Sequence, residues 1–280
     1  MKKIFLGLTF IAAIFFTACD PIEDRYEMGG AISADEIEAT VTVVQEDGQN
    51  VNYVICECSS PITTKWTNGI LSKASTYAEL KMFATGEQTV TLLGLNPDGT
   101  EISKEFTVQI DKISDNYPVE AEYGYFCGDG EKVWVWDEYA PAPFGNGGYM
   151  GNIGPGWWLV GMDGLDEQAT GMNSEGDGKD ASMTFSLNGL TLTKSNGNQG
   201  SFDFDMSQMV SPGWDIGAFY TSGTNVLLGV NHNNGDEPYY EYSILKLNDD
   251  ELWLSAPEPG AGSWGAAWFW CFRAEGTSPE

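Results

Sequence analysis

Residues 181–193 read ASMTFSLNGLTLT, and this stretch limits the possible fold more than any other. Apolar and polar residues alternate on both sides of Asn188-Gly189, a dipeptide that turns one strand back into the next. Alternation with period two gives one dry and one wet face, which a helix over the same residues would scramble. Elsewhere the pattern repeats: helical periodicity is absent, and Gly, Asn and Asp turns separate short runs. The chain reads as all-β. Apolar residues make up 42% and aromatic residues 13% of 280, enough for cores in one large domain or two modest ones.

Residues 36–112 hold about seven short strands. Ile37–Val43 alternates, Gly48 turns, and Val51–Cys56 follows. Leu71–Phe83, Thr89–Leu93, the turn Asn96-Pro97-Asp98-Gly99 and Lys104–Ile110 complete the set, as in an immunoglobulin-like sandwich. Three runs carry a resemblance: Trp66-Thr67-Asn68-Gly69, then Phe83-Ala84-Thr85-Gly86-Glu87-Gln88-Thr89-Val90-Thr91-Leu92, then Asp98-Gly99. Together they resemble the polycystic-kidney-disease (PKD) type of immunoglobulin-like domain, although the family is richer in Asp and Gly around the tryptophan. The resemblance implies a core role for Trp66 and a spacer between a membrane anchor and a working module. Asp111–Glu122 is polar, contains Pro118 and lacks periodicity, so residues 113–122 read as a linker.

From Tyr123 onward, aromatic strands are joined by long Gly/Asn/Asp loops. Strands are expected at Lys132–Asp137, Trp157–Met162, Ser182–Leu187, Thr191–Lys194, Gly200–Asp205, Val226–Val230, Tyr239–Leu247, Glu251–Ser255 and Ala266–Arg273. The run EKVWVWDEYAPAPFGNGGYMGNIGPGWW, residues 131–158, opens as a strand and breaks at Pro141 and Pro143. It then becomes Gly-rich, as flexible turns require, and closes on Trp157-Trp158. With the closing runs Leu247–Leu254 and Trp268–Arg273, it resembles C-terminal β-sandwich modules of Gram-negative surface lipoproteins from polysaccharide-utilisation systems. The resemblance implies a jelly-roll-like sandwich over residues 123–275 that binds glycan, followed by a tail, 276–280. A lipocalin-like barrel is the alternative.

Residues 1–18, MKKIFLGLTFIAAIFFTA, form a secretory signal that is too short for a stable membrane span. Phe16-Thr17-Ala18-Cys19 resembles the lipobox of bacterial lipoproteins. The resemblance implies lipidation of Cys19, an acidic tether over 19–35, and a place on the outer membrane facing the cell exterior. The net charge is −28, and loss of Lys2 and Lys3 with the leader makes it more negative still. Such a charge excludes nucleic acid and anionic headgroups as partners and suits a neutral or cationic ligand. Cys56 and Cys58 point the same way on one strand and are poorly placed to bond each other. Cys127 and Cys271 could bridge the ends of the last domain, but free buried thiols are the default.

Nine of the ten tryptophans lie beyond residue 130. Sugars stack their C–H faces on aromatic rings and need carboxylates, amides and backbone groups for their hydroxyls. Tyr149, Trp157, Trp158, Trp214 and Trp264 lie in or beside Gly/Pro loops, with Asn152 and Asp163 close in sequence, and these seven are the candidate ligand-binding residues. Neighbours on a strand face opposite ways, so at most one of Trp157 and Trp158 is expected in the core. Trp134 with Trp136 and Trp268 with Trp270 repeat with period two on strands, and one of each pair is assigned to the core. A glycosidase needs two carboxylates at a fixed separation, and no matching run is present. His232, the only histidine, lies in the polar turn NHNNGDEP and is read as solvated rather than catalytic. Asp129, Asp177 and Asp180 could hold a structural calcium ion, though no helical-hand loop exists. No cofactor and no catalytic metal are expected.

These observations give three readings. The first is a non-catalytic surface lipoprotein that holds polysaccharide or oligosaccharide, with an outer-membrane glycan transporter as a partner. The second is a polysaccharide hydrolase or lyase on the same fold, and the third a protein-docking surface component.

Overall fold

The structure, a computed structural model, describes residues 30–279. The leader, Cys19 and most of the tether lie outside the described residues. The first half forms seven strands: β1 (Ala39–Glu46), β2 (Gln49–Cys58), β3 (Thr63–Thr67), β4 (Ser72–Lys73), β5 (Tyr77–Lys81), β6 (Gly86–Leu95) and β7 (Glu101–Ile110). They pair as two sheets, β1-β2-β5 and β4-β3-β6-β7. Val54, Cys56, Leu80, Val90, Leu92 and Ile110 fill the space between them around Trp66. This is an immunoglobulin-like sandwich, with Trp66 fully buried as expected. At the β1–β2 turn Asp47 and Gly48 both take positive φ, 52° and 79°, which suits a tight hairpin.

The expected linker is not free. Lys112 pairs with Val51 in a parallel bridge. Ser114 donates from its amide to Asn52 Oδ1 (2.8 Å) and from its hydroxyl to Glu46. Tyr117 stacks on Tyr53 with ring centroids 4.0 Å apart. Hydropathy cannot register such polar and edge-of-sheet contacts, so the segment looked like a tether. It leads into a short helix, α1 (Ala121–Cys127), where no helix was expected.

The second half continues with β8 (Glu131–Trp136), β9 (Phe144–Gly148), β10 (Trp158–Val160), helix α2 (Leu165–Gly171), β11 (Ser182–Ser186), β12 (Thr191–Lys194), β13 (Gln199–Asp205) and β14 (Gly217–Ser222). A small ribbon, β15 (Val230–Asn231) with β16 (Glu237–Pro238), precedes β17 (Glu241–Leu247), β18 (Glu251–Pro257) and β19 (Ala266–Ala274). Strands β8, β11, β12, β13, β14, β17, β18 and β19 pair in chain order, and β19 pairs back onto β8. An antiparallel meander closed first strand to last is a barrel. The all-β expectation holds, and of the two forms considered for this half the connectivity is the barrel's. A jelly roll would need strands that exchange between sheets. The N-terminal part of β19 also pairs with β9, and β9 with β10, so a flap grows from the barrel wall.

Aromatic side chains plug the barrel. Trp134, Trp136, Phe185, Phe202, Phe219, Tyr242, Trp268, Trp270 and Phe272 share one buried cluster. Phe126 of α1 enters among them, with ring centroids 5.3 Å from both Phe204 and Phe219. The run Val226–Val230, read as a strand, is instead a turn: Val226, Leu227 and Leu228 are all fully buried. The strand at that point in the meander is β14, GAFYTS, which is not among the expected strands. Phe83 and Ile70 of the sandwich half pack against the barrel cluster, and Phe83 meets Tyr123 edge-on at 4.8 Å.

Candidate ligand-binding site

The Gly-rich run after β8 is close-packed rather than slack. Tyr149 and Trp264 bond through their backbones: Tyr149 N–H donates to Gly265 O and Trp264 N–H to Tyr149 O, both at 2.8 Å. Trp264 takes a positive φ of 61°, uncommon for so large a residue. Its ring then lies over glycine backbone. A Cβ on Gly148 would sit 2.6 Å from Trp264 Cε3, and one on Gly151 would sit 2.7 Å from the same ring. These glycines are required by close approach, not by flexibility. The same point above Gly148 is met by Trp157, whose Cζ2 would be 3.3 Å away. Two indoles thus converge on one glycine floor while remaining open to water, Trp264 61% and Trp157 53% exposed.

A groove of about 370 Å³ lies on the outer face of β14 and β17, with Tyr149 in its wall. Tyr149 connects it to the two indoles, for its backbone clamps Trp264 and its ring walls the groove. Tyr220, Glu241 and Ser243 form the floor, and Gln208, Met209 and Val210 of the preceding loop form the far rim. That loop is fixed from below. Asp215, buried, accepts from Val210 N–H (2.7 Å) and Ser211 N–H (2.9 Å). Burial pushes the Tyr149 phenol up, with the Ser243 hydroxyl acting in the opposite direction, so it stays a neutral hydroxyl at physiological pH.

Among the seven expected residues, Trp157 and Trp264 form the open surface. Tyr149 and Trp214 are mostly buried, edge to face with centroids 5.1 Å apart. Trp214 Nε1 donates to Asn152 O (2.6 Å), and Asn152 Oδ1 accepts from Gly148 N–H (2.7 Å). These three residues hold the platform and the loop together and form its support, not its surface. Trp158 stacks edge-on against Trp268 at 5.8 Å and lies at the margin of the core, 37% exposed. Neither Trp157 nor Trp158 is a core residue. Asp163 lies beyond the far end of β10, in the turn Met162–Gly164, and does not line the groove. Tyr220 is missed together with β14, whereas Glu241 and Ser243 lie on the expected strand Tyr239–Leu247 and Met209 and Val210 in a loop, with nothing local to mark them as groove residues. An alternation of GAFYTS with EYSIL across the barrel wall was the available signal.

The other candidate groups are engaged elsewhere. Asp177 is buried against Lys194 at 2.8 Å and also accepts from Leu228 N–H, which accounts for a carboxylate read as a calcium ligand. Burial pushes the Lys194 ammonium down even with Asp177 beside it. His232 Nδ1 lies 2.8 Å from Asp236 on an exposed turn. Cys56, Cys58, Cys127 and Cys271 are buried free thiols; burial pushes Cys56 up to about 11, Cys127 to about 12 and Cys271 higher still, which makes these three poor nucleophiles.

No protein-family model matches the chain, and no curated protein matches it. Among solved structures, the PKD1 domain from the Vibrio cholerae metalloprotease PrtV aligns over 29% of this chain and 100% of its own, at 17% identity and a TM-score of 0.23. The PKD1 domain of Vibrio anguillarum Epp covers 26% of this chain and 92% of its own, at 14% identity and a TM-score of 0.22. At those scores the likeness adds nothing to the strand pairings, on which the immunoglobulin-like assignment rests.

Proposed function

We propose that the protein is a non-catalytic glycan-binding protein that receives a neutral polysaccharide or oligosaccharide on Trp157 and Trp264. The observation that carries this reading is the pair of open indoles over one glycine floor, continuous through Tyr149 with a groove of hydroxyls, an amide and one carboxylate. Pyranose faces stack on such rings, and hydroxyls match the groove's donors and acceptors. The charge of −28 favours a ligand without acidic groups. Among the described residues Glu241 is the only carboxylate lining the groove, whereas glycoside hydrolysis uses two, which supports binding without cleavage. In this reading the lipobox-like leader anchors the chain by Cys19 to the outer membrane, and the PKD-type sandwich serves as a spacer beneath the barrel. A glycan transporter is then the natural neighbour.

Affinity gels cast with laminarin, xylan, mannan or starch test the reading. Wild type should be retarded by at least one of them without release of reducing sugar. Trp157→Ala and Trp264→Ala should each weaken that retardation by about 1–3 kcal/mol, taking base stacking on aromatics as the analogue. Thermal stability should barely move, because exposed rings have little burial to lose. Retardation unchanged in both variants would sink the platform.

A further inference from the structure

On another part of the barrel surface, at its seam, lies a separate hollow of about 650 Å³. Its base is the Arg273 guanidinium, 6% exposed, whose Nε donates to Asp137 at 2.9 Å and whose Nη2 donates to Glu251 at 3.3 Å. Asp137 also accepts from Trp253 Nε1 (3.3 Å) and from the amide of Tyr139 (3.1 Å). One buried carboxylate therefore positions a guanidinium, an indole and a phenol ring. The Tyr139 ring covers Arg273 at 5.3 Å yet remains 51% exposed, so one of its faces is free. Lys246 completes the wall, 4.9 Å over the Trp253 ring and 2.7 Å from Glu251. Burial works against the charge on Glu251, but hydrogen bonds from Lys246 and Asn248 hold its pKa below the usual range.

We infer that this hollow is a second ligand site, for one unit of a neutral polyhydroxylated molecule such as a sugar residue. Both cations are neutralised by the carboxylates they touch, and Asp249 and Asp250 on the rim leave the site net negative, so an anion is repelled. The carboxylates inside the hollow are taken by Arg273 and Lys246, so a cationic ligand would meet only the rim carboxylates Asp249 and Asp250. Hydroxyls, donors and acceptors at once, fit between such groups without breaking them, and the open face of Tyr139 offers a stacking surface. A buried, pre-formed charged floor beneath an exposed ring is the arrangement that orients a ligand. The inference takes only its class of ligand from the proposed function, and the two sites share no residue.

Indole N–H NMR signals of the full chain, assigned by single Trp→Phe variants, separate the two sites. The probes are laminarihexaose, cellohexaose, xylohexaose and mannohexaose, with trigalacturonate as the acidic control. The Trp253 signal should move with at least one neutral hexasaccharide, and equally so in Trp264→Ala. Tyr139→Ala should weaken that titration about five- to a hundredfold, while Tyr139→Phe, which keeps the ring, should retain it. A Trp253 signal that stays still with every neutral probe overturns the second site, and if Trp264 moves the platform survives alone. Movement of Trp253 with Trp157 and Trp264 still supports the second site and removes the platform. An equal response to trigalacturonate overturns the class of ligand.

Discussion

The sandwich and the barrel solve the same problem with different side chains. Between its two sheets the sandwich buries aliphatic and thiol groups around one indole, Trp66. The barrel encloses a wider space and fills it with tryptophan, tyrosine and phenylalanine. Their indoles also differ in hydrogen bonding. Trp134 donates to Phe126 O, Trp136 to Gly178 O and Trp270 to Leu228 O, at 3.0, 2.9 and 3.0 Å. The Trp66 N–H has no partner among the described residues. With Trp268, which donates to Glu258 at 2.8 Å, four of the nine tryptophans beyond residue 130 are filling with a polar tether, and only Trp157, Trp158 and Trp264 are exposed. An abundance of aromatic residues in such a chain reports barrel volume first and ligand contact second.

The harshest way to break the comparison acts on the barrel's buried ion pair, which has no counterpart among the described residues of the sandwich core. Asp177→Ala leaves the Lys194 ammonium buried and unpaired, and should destabilise the barrel by about 3–5 kcal/mol in urea unfolding. Burial depresses the pKa of Lys194 in the folded state, so the unfolded chain binds the extra proton. Stability of this variant should accordingly recover as pH rises toward the unfolded value of about 10.4. A flat pH profile would show that Lys194 finds water or another acid.

A smaller effect sharpens the indole contrast. Trp270→Phe removes a donor from a buried carbonyl and should cost about 1–3 kcal/mol beyond the change in volume. Trp66→Phe removes a donor that serves nothing, so only the volume change remains. Equal losses measured by chemical denaturation would mean that Trp66 is satisfied in solution.

The smallest effect concerns the segment that ties the halves. Hydrogen bonds from Asn116 and Ser114 hold the Glu46 pKa below its usual value. A carboxylate depressed in this way stabilises above its unfolded pKa and loses that contribution as pH falls through the folded one. Protection of the Ser114 and Asn116 amides, taken relative to their intrinsic exchange rates, should therefore fall as pH drops below the unfolded Glu value of about 4.3, with barrel amides unaffected. Loss of protection across both halves at once would indicate a single cooperative unit.

Local signals made the hairpins legible. Asn188-Gly189 joins β11 to β12 with Gly189 at φ 70°, and Asn248–Asp250 joins β17 to β18. Closure was hidden because β8 and β19 are distant in sequence, and no residue in either announces its partner. The apolar run Val226–Val230 misled because a turn sealing a barrel end is as apolar as a strand. At the candidate site, the glycine surroundings of Trp157 and Trp264 single them out, and both indoles are exposed. The division between surface and support depended on Trp264's backbone and on the bond from Trp214 to Asn152, which only three dimensions provide.

The seam where β19 meets β8 has a consequence in time. The ion pair that fastens it joins residues 136 positions apart, so this contact forms late as the chain is synthesised. The sandwich can complete both sheets while the barrel is still being made. Until β19 arrives, the other seven barrel strands have an unpaired edge at β8 and another at β18, flanking aromatic side chains not yet enclosed. A chaperone that holds nascent strands should matter most in that interval. Substitutions that slow the last strand should lower yield through aggregation even where the finished fold is as stable as before.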